Sequence, residues 1–137
     1  MQVLDLALSS KKIQGLCLLC FENERPPLGV LGYFDWLFAG HFTKLLKTQV
    51  LTGKKGQILY TPVKWNGSTL HFLLVGGGYL EANGKRPPFD QKLLDLAVKQ
   101  AEGLKLEGMG VVSADWNLSG NSAELSNLEK RNICVLN

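Results

Sequence analysis

The sequence predicts an α/β sandwich built on a mixed, mainly parallel sheet flanked by helices. Three observations lead there. Short apolar runs alternate along the chain with stretches of helical periodicity. One run, GLCLLCF at 15–21, is apolar without interruption, the mark of a strand covered on both faces. An Asn66-Gly67 pair separates two further apolar runs, the strongest short-range hairpin signal, so those two strands must be antiparallel neighbours. At 137 residues the chain fits a single domain, 1–137. A chain of this size buries about two-thirds of the surface its unfolded form exposes, so it needs no staples.

Taken in order, QVLDLAL (2–8) alternates and reads as an edge strand, and GLCLLCF (15–21) as a buried one. ENERPP (22–27) is a proline-stopped polar loop. The stretch 29–46 reads as a helix, with Phe34, Leu37, Phe38, Phe42, Leu45 and Leu46 on one stripe, Asp35 in its first turn, and Lys44 and Lys47 where cations suit the helix dipole. QILYTPV (57–63) and TLHFLLVG (69–76) are the hairpin strands. FDQKLLDLAVKQAEGLK (89–105) is the clearest helix: Phe89, Leu93, Leu94, Ala97, Val98, Ala101 and Leu104 recur at spacings of three and four, after Pro87-Pro88 and with Asp90 in the first turn. MGVVSA (109–114) is a small buried strand, SAELSNLEK (122–130) a helix with Ser122 as N-cap, and NICVLN (132–137) a last strand.

Charge and cysteine content exclude several functions. The net charge is +3, and the basic residues fall in pairs beside turns: Lys11-Lys12, Lys54-Lys55, Lys85-Arg86 and Lys130-Arg131. They read as solvated loop charges, and nucleic acid is not an expected partner, because binding it would need them gathered on one face. Cys17 and Cys20 form a C-x-x-C inside a strand, where residues three apart face opposite ways, so they cannot share a metal or close a bond. Three cysteines suit a reducing cytoplasm better than a disulfide framework. No signal peptide is evident, and no apolar stretch reaches the roughly 20 residues that span a bilayer.

Motifs for chemistry are few. Two histidines, His41 and His71, have no metal-ligand spacing, and no metal or cofactor is implied. No G-x-S-x-G occurs. Gly76-Gly77-Gly78 follows an apolar strand and could bring bare N–H groups to a phosphate. Glu81 stands where the dinucleotide fingerprint needs its third glycine, however, and no Lys-Ser or Lys-Thr follows for a P-loop. The competing reading is a tight strand exit with positive φ. Asp115 lies at the carboxyl end of a strand, where α/β proteins often place function. Trp36 falls opposite the apolar stripe and reads equally as a candidate partner contact and as a side chain buried beneath a neighbouring loop.

Residues 24–62, ERPPLGVLGYFDWLFAGHFTKLLKTQVLTGKKGQILYTP, resemble the amino-terminal domain of the cytosolic leucyl aminopeptidase family through Arg25-Pro26, Gly29 and Gly32, Asp35-Trp36, Gly40 and Thr52-Gly53. FLLVGGGYLE (72–81) resembles that family's strand with its glycine turn. The resemblance implies a macro-domain-like fold. It also implies the absence of the family's metallopeptidase domain, whose signature Asn-Thr-Asp-Ala-Glu-Gly-Arg does not occur here, and hence no peptidase activity. Two functions are expected from it: a non-catalytic module acting through a protein partner or self-association, and, as the alternative, a macro-like binder of a nucleotide or ADP-ribose at Gly76 to Gly78 and Asp115.

Overall fold

A computed structural model describes residues 13–118 and 122–136. The strand expected over 2–8 and the Lys11-Lys12 pair lie outside them. The described elements are β1 (Gly15–Phe21), α1 (Gly29–Leu37), α2 (His41–Lys47), β2 (Ile58–Trp65), β3 (Ser68–Gly78), α3 (Gln91–Gly103), β4 (Met109–Val112), the single turn α4 (Ser113–Trp116), α5 (Ser122–Lys130) and β5 (Cys134–Leu136).

The strands form a five-stranded sheet in the order β2-β3-β1-β4-β5. Among the described strands only the β2–β3 pair is antiparallel. Its two-residue turn carries positive φ at both Asn66 and Gly67, the conformation that matches strand twist. Pro62, which cannot donate to a ladder, sits in β2, at the edge of the sheet formed by the described residues.

Every residue of β1 is buried, and its alternation divides the core in two. Leu16, Leu18 and Cys20 join Phe34 and Phe42 from α1 and α2 on one face. Cys17, Leu19 and Phe21 join Leu94, Ala97 and Val98 of α3 on the other, with Leu128 of α5. The two cysteines of the C-x-x-C therefore lie on opposite faces. Burial pushes the Cys17 thiol up to about 12 and that of Cys20 to about 11, which suppresses the thiolate and its chemistry.

Three elements differ from expectation, and Ser122, expected as an N-cap, is instead the first helical residue of α5. The helix over 29–46 is two helices. The chain breaks at Ala39 and Gly40, which take left-handed φ of 55° and 85°. Asp35 bridges the break, accepting from Thr43 N–H at 2.8 Å and Thr43 Oγ1 at 2.5 Å, and so caps α2. A carboxylate that sequence position makes a dipole partner of α1 is in fact the joint between two helices. The second difference is Asp90, which stands one residue before α3 as its N-cap, accepting from Leu93 N–H at 3.1 Å. Third, β4 stops at Val112, and residues 113–116 turn into α4. That early stop positions the site described next.

Candidate functional site

Strand β1 pairs with β4 only through Gly15↔Met109 and Leu16↔Gly110, after which the two strands part. Parting leaves backbone groups of β1 without a ladder, and buried ones must be satisfied some other way. Two side chains of α4 do this. Asp115 Oδ2 accepts from Leu19 N–H at 2.9 Å, and Trp116 Nε1 donates to Cys17 O at 2.9 Å. Both side chains are buried.

The other flank is built by loops. Gly76 N–H donates to Gln57 O at 2.7 Å, and Gly78 N–H to Gly53 O at 2.9 Å. A Cβ at Gly76 would run into the Lys54 carbonyl, and one at Gly77 would lie 2.5 Å from the Phe21 ring. The triple glycine thus lets the 53–57 loop and an aromatic ring close onto β3. Positive φ occurs only at Gly78, and the N–H groups of Gly76 and Gly78 are occupied by loop carbonyls. Arg25 donates to Phe21 O at 2.6 Å and to Thr52 O at 3.0 Å, and Asn23 Oδ1 accepts from Leu80 N–H at 2.7 Å. The segments after β1, before β2 and after β3 are thereby laced into one rim.

Within that rim, at the carboxyl ends of β1 and β3, lies a cleft of about 390 Å³. Leu19, Phe21, Gly77, Phe89 and Trp116 give it apolar and aromatic walls, and Lys55, Asp90 and Lys92 give it charge. Lys55 Nζ stands 3.5 Å from Asp90 Oδ2, a largely exposed ion pair. Of the residues singled out from sequence, Gly77 lines the cleft directly. Asp115 lies behind it, beside Trp116, and reaches Arg86, whose chain neighbours Pro87 and Pro88 also line it.

Arg86 is the residue sequence reasoning missed. It reads as half of an exposed basic pair, yet its side chain is only 21% exposed. Its guanidinium stacks 4.8 Å from the Phe21 ring centroid, and Nη2 stands 3.4 Å from Asp115 Oδ1. Two of the other basic pairs also have specific partners: Lys55 as above, and Arg131 with Asp95 at 3.1 Å and Glu102 at 3.4 Å. No local pattern separates these from solvated lysines, because the partners are distant in sequence. Burial raises the Asp115 carboxyl to about 6, against the downward pull of Arg86 and the Leu19 N–H, with a further upward push from Glu24.

The remaining candidates lie apart from this cleft. His41 Nε2 meets Thr61 Oγ1 at 3.0 Å, and His71 Nδ1 meets Tyr60 OH at 2.6 Å. Asp35 is taken up by Thr43. Trp36 is 77% exposed on α1. Among the described residues no cluster of three His, Cys, Asp or Glu side chains forms, and no helix is long and apolar enough to cross a membrane.

Comparison with protein-family models and with curated proteins finds no match. Among solved structures, the macrodomain of Mycobacterium tuberculosis DarG is similar at a TM-score of 0.57 and 13% identity, over 91% of this chain and 88% of that one. The fold is macrodomain-like. At this identity the likeness concerns architecture alone, and the aminopeptidase resemblance gains from it only its macro-like part. The macrodomain-like sheet places the cleft outside the carboxyl ends of parallel strands, where open α/β sheets bind ligands.

Proposed function

We propose that this chain binds a nucleotide-type small molecule, with ADP-ribose the first ligand to test, in the cleft between Phe21, Gly77 and the start of α3. The observation that carries the reading is the cleft's composition. Phe89 offers a half-buried face for a base or ribose, the buried Phe21 and Trp116 back the wall behind it, and Lys55 and Lys92 offer charge for phosphate, all within one concavity. The macrodomain-like fold of the DarG neighbour supports the same reading by analogy. The function is binding, and no residue is assigned a reacting role. Kinship with the aminopeptidase amino-terminal domain belongs to this proposal and rests on the motifs from Arg25-Pro26 to Thr52-Gly53.

Titration of isotope-labelled protein with ADP-ribose, AMP and adenosine tests it. Amide shifts centred on Leu19, Phe21, Gly77, Gln91–Leu93 and Trp116 are expected. No perturbation at millimolar ligand would overturn the reading.

Trp36 favours a second reading, the protein-interaction module. The large indole, 77% exposed on α1, is open to contact by a second molecule. Light scattering across a concentration series, with Trp36→Ser as control, should show association that the variant loses. A monomer at every concentration and no tryptophan-dependent contact would remove it.

A further inference from the structure

The Arg86–Asp115 pair is incompletely bonded. The two groups stand 3.4 Å apart without a hydrogen bond, and both Arg86 Nη1 and Asp115 Oδ1 are buried with no hydrogen-bond partner among the described residues. A guanidinium has five N–H donors arranged to grip an oxyanion with two parallel bonds. Leaving such donors unmade in a buried site is costly. Two neighbours hold this guanidinium in place: the Phe21 ring supports its flat face, and Gly29 at the start of α1 comes so close that a Cβ there would lie 2.8 Å from Nη2. Pro87 and Pro88, which follow it, are wall residues of the cleft, as is Phe21 beneath it.

We propose that Arg86 is the anion anchor of the cleft, exchanging its loose contact with Asp115 for a two-bond grip on a phosphate of the ligand, and that Asp115 is the resting counter-charge which the ligand displaces. The inference rests on the nucleotide reading above and narrows it to ligands bearing a phosphate or pyrophosphate, against neutral nucleosides. The exchange breaks no covalent bond and transfers no group. It has a pH signature, since Asp115 competes with the ligand for Arg86 only while ionised. The charged groups facing Asp115 are Arg86 and Glu24, and the Cys20 thiol nearby stays neutral through this range.

The test measures affinity for ADP-ribose, adenosine and inorganic pyrophosphate by calorimetry in the full chain and in variants shown to be folded by circular dichroism. ADP-ribose suits the pH series because its pyrophosphate is esterified at both ends and does not titrate near neutrality. Wild type should bind ADP-ribose roughly tenfold or more tightly than adenosine. Arg86→Gln should lose about that factor for ADP-ribose and pyrophosphate while leaving adenosine unchanged. Wild-type affinity for ADP-ribose should rise as the pH falls from 7.5 to 5.5. Asp115→Asn, which keeps an acceptor for the Leu19 N–H, should flatten that profile, and Glu24→Gln should preserve it. Undiminished ADP-ribose binding by Arg86→Gln would overturn this inference and leave the nucleotide reading standing. Wild type that binds pyrophosphate through Arg86 but no nucleotide would overturn the nucleotide reading alone. Binding of none of the three would overturn both. Should Arg86→Gln not fold, Arg86→Lys carries the test: it keeps the charge and loses the fork, so unchanged affinity and an unchanged pH profile would count against the proposal.

Discussion

Asp115 accepts a hydrogen bond from the backbone of Leu19 at 2.9 Å, across 96 positions of sequence, at the point where β1 and β4 have ceased to pair. A buried carboxylate thus stands in for a missing strand. Its folded pKa is raised to about 6 from 3.8, so the folded state holds its proton more tightly than the unfolded state does. The resulting stabilisation is fully present below the unfolded value and is lost as pH rises through about 6. Urea denaturation of wild type between pH 4 and pH 7 should therefore show a decline of about 2 kcal/mol from this group. Asp115→Asn should remove the decline. A wild-type profile that rises steadily across this window would contradict the assignment.

Asp115→Ala differs from Asp115→Asn. It leaves Leu19 N–H without an acceptor and Arg86 without a counter-charge. Breaking a buried pair from one side costs about 3–5 kcal/mol. The alanine variant should melt well below the asparagine variant at pH 7 in a thermal scan.

Trp116→Phe keeps the aromatic volume and removes the donor to Cys17 O. Leaving one buried carbonyl unpaired should cost about 1–3 kcal/mol, read as a lower urea midpoint at constant m-value. Wild-type stability in this variant would mean that Cys17 O has another donor.

At Gly76 an added methyl would meet the backbone of Lys54, whereas at Gly77 it would meet the Phe21 ring. A side chain can turn aside more readily than a loop backbone. Gly76→Ala should therefore be the more damaging, with Gly77→Ala costing about 1–3 kcal/mol. Phe21→Leu should partly rescue Gly77→Ala and do nothing for Gly76→Ala. Equal losses and equal rescue would contradict the packing described.

Removing the Asp35 carboxylate unties α1 from α2. Asp35→Ala should cost about 1–2 kcal/mol, as for loss of an N-cap. Asp35→Asn, which retains one acceptor, should fall between. Amide exchange should quicken first at Thr43 and its neighbours in α2.

The existence of β1 to β5, the antiparallel hairpin and the split of Cys17 from Cys20 were legible in the sequence because they follow from local periodicity and one turn signal. So was helix α3, whose apolar stripe repeats over a stretch long enough to be unambiguous. The break at Gly40 was harder to read, since the aromatic stripe continues across it through Phe34, Phe38 and Phe42. A glycine within a periodic run was the available sign. Asp115 could be placed at a strand end, but its partner Arg86 looked like one of several basic turn residues.

The sequence by itself determined the order of the described strands and of helix α3, and which of their faces is apolar, because side-chain periodicity is a property of neighbouring residues. Only the tertiary structure decided where β1 and β4 part, which backbone groups that leaves to Asp115 and Trp116, and that Arg86 is enclosed there rather than solvated. Those outcomes depend on the low-dielectric meeting of segments nearly a hundred positions apart, where a charge or a hydrogen bond acquires its energy from surroundings that no local pattern encodes.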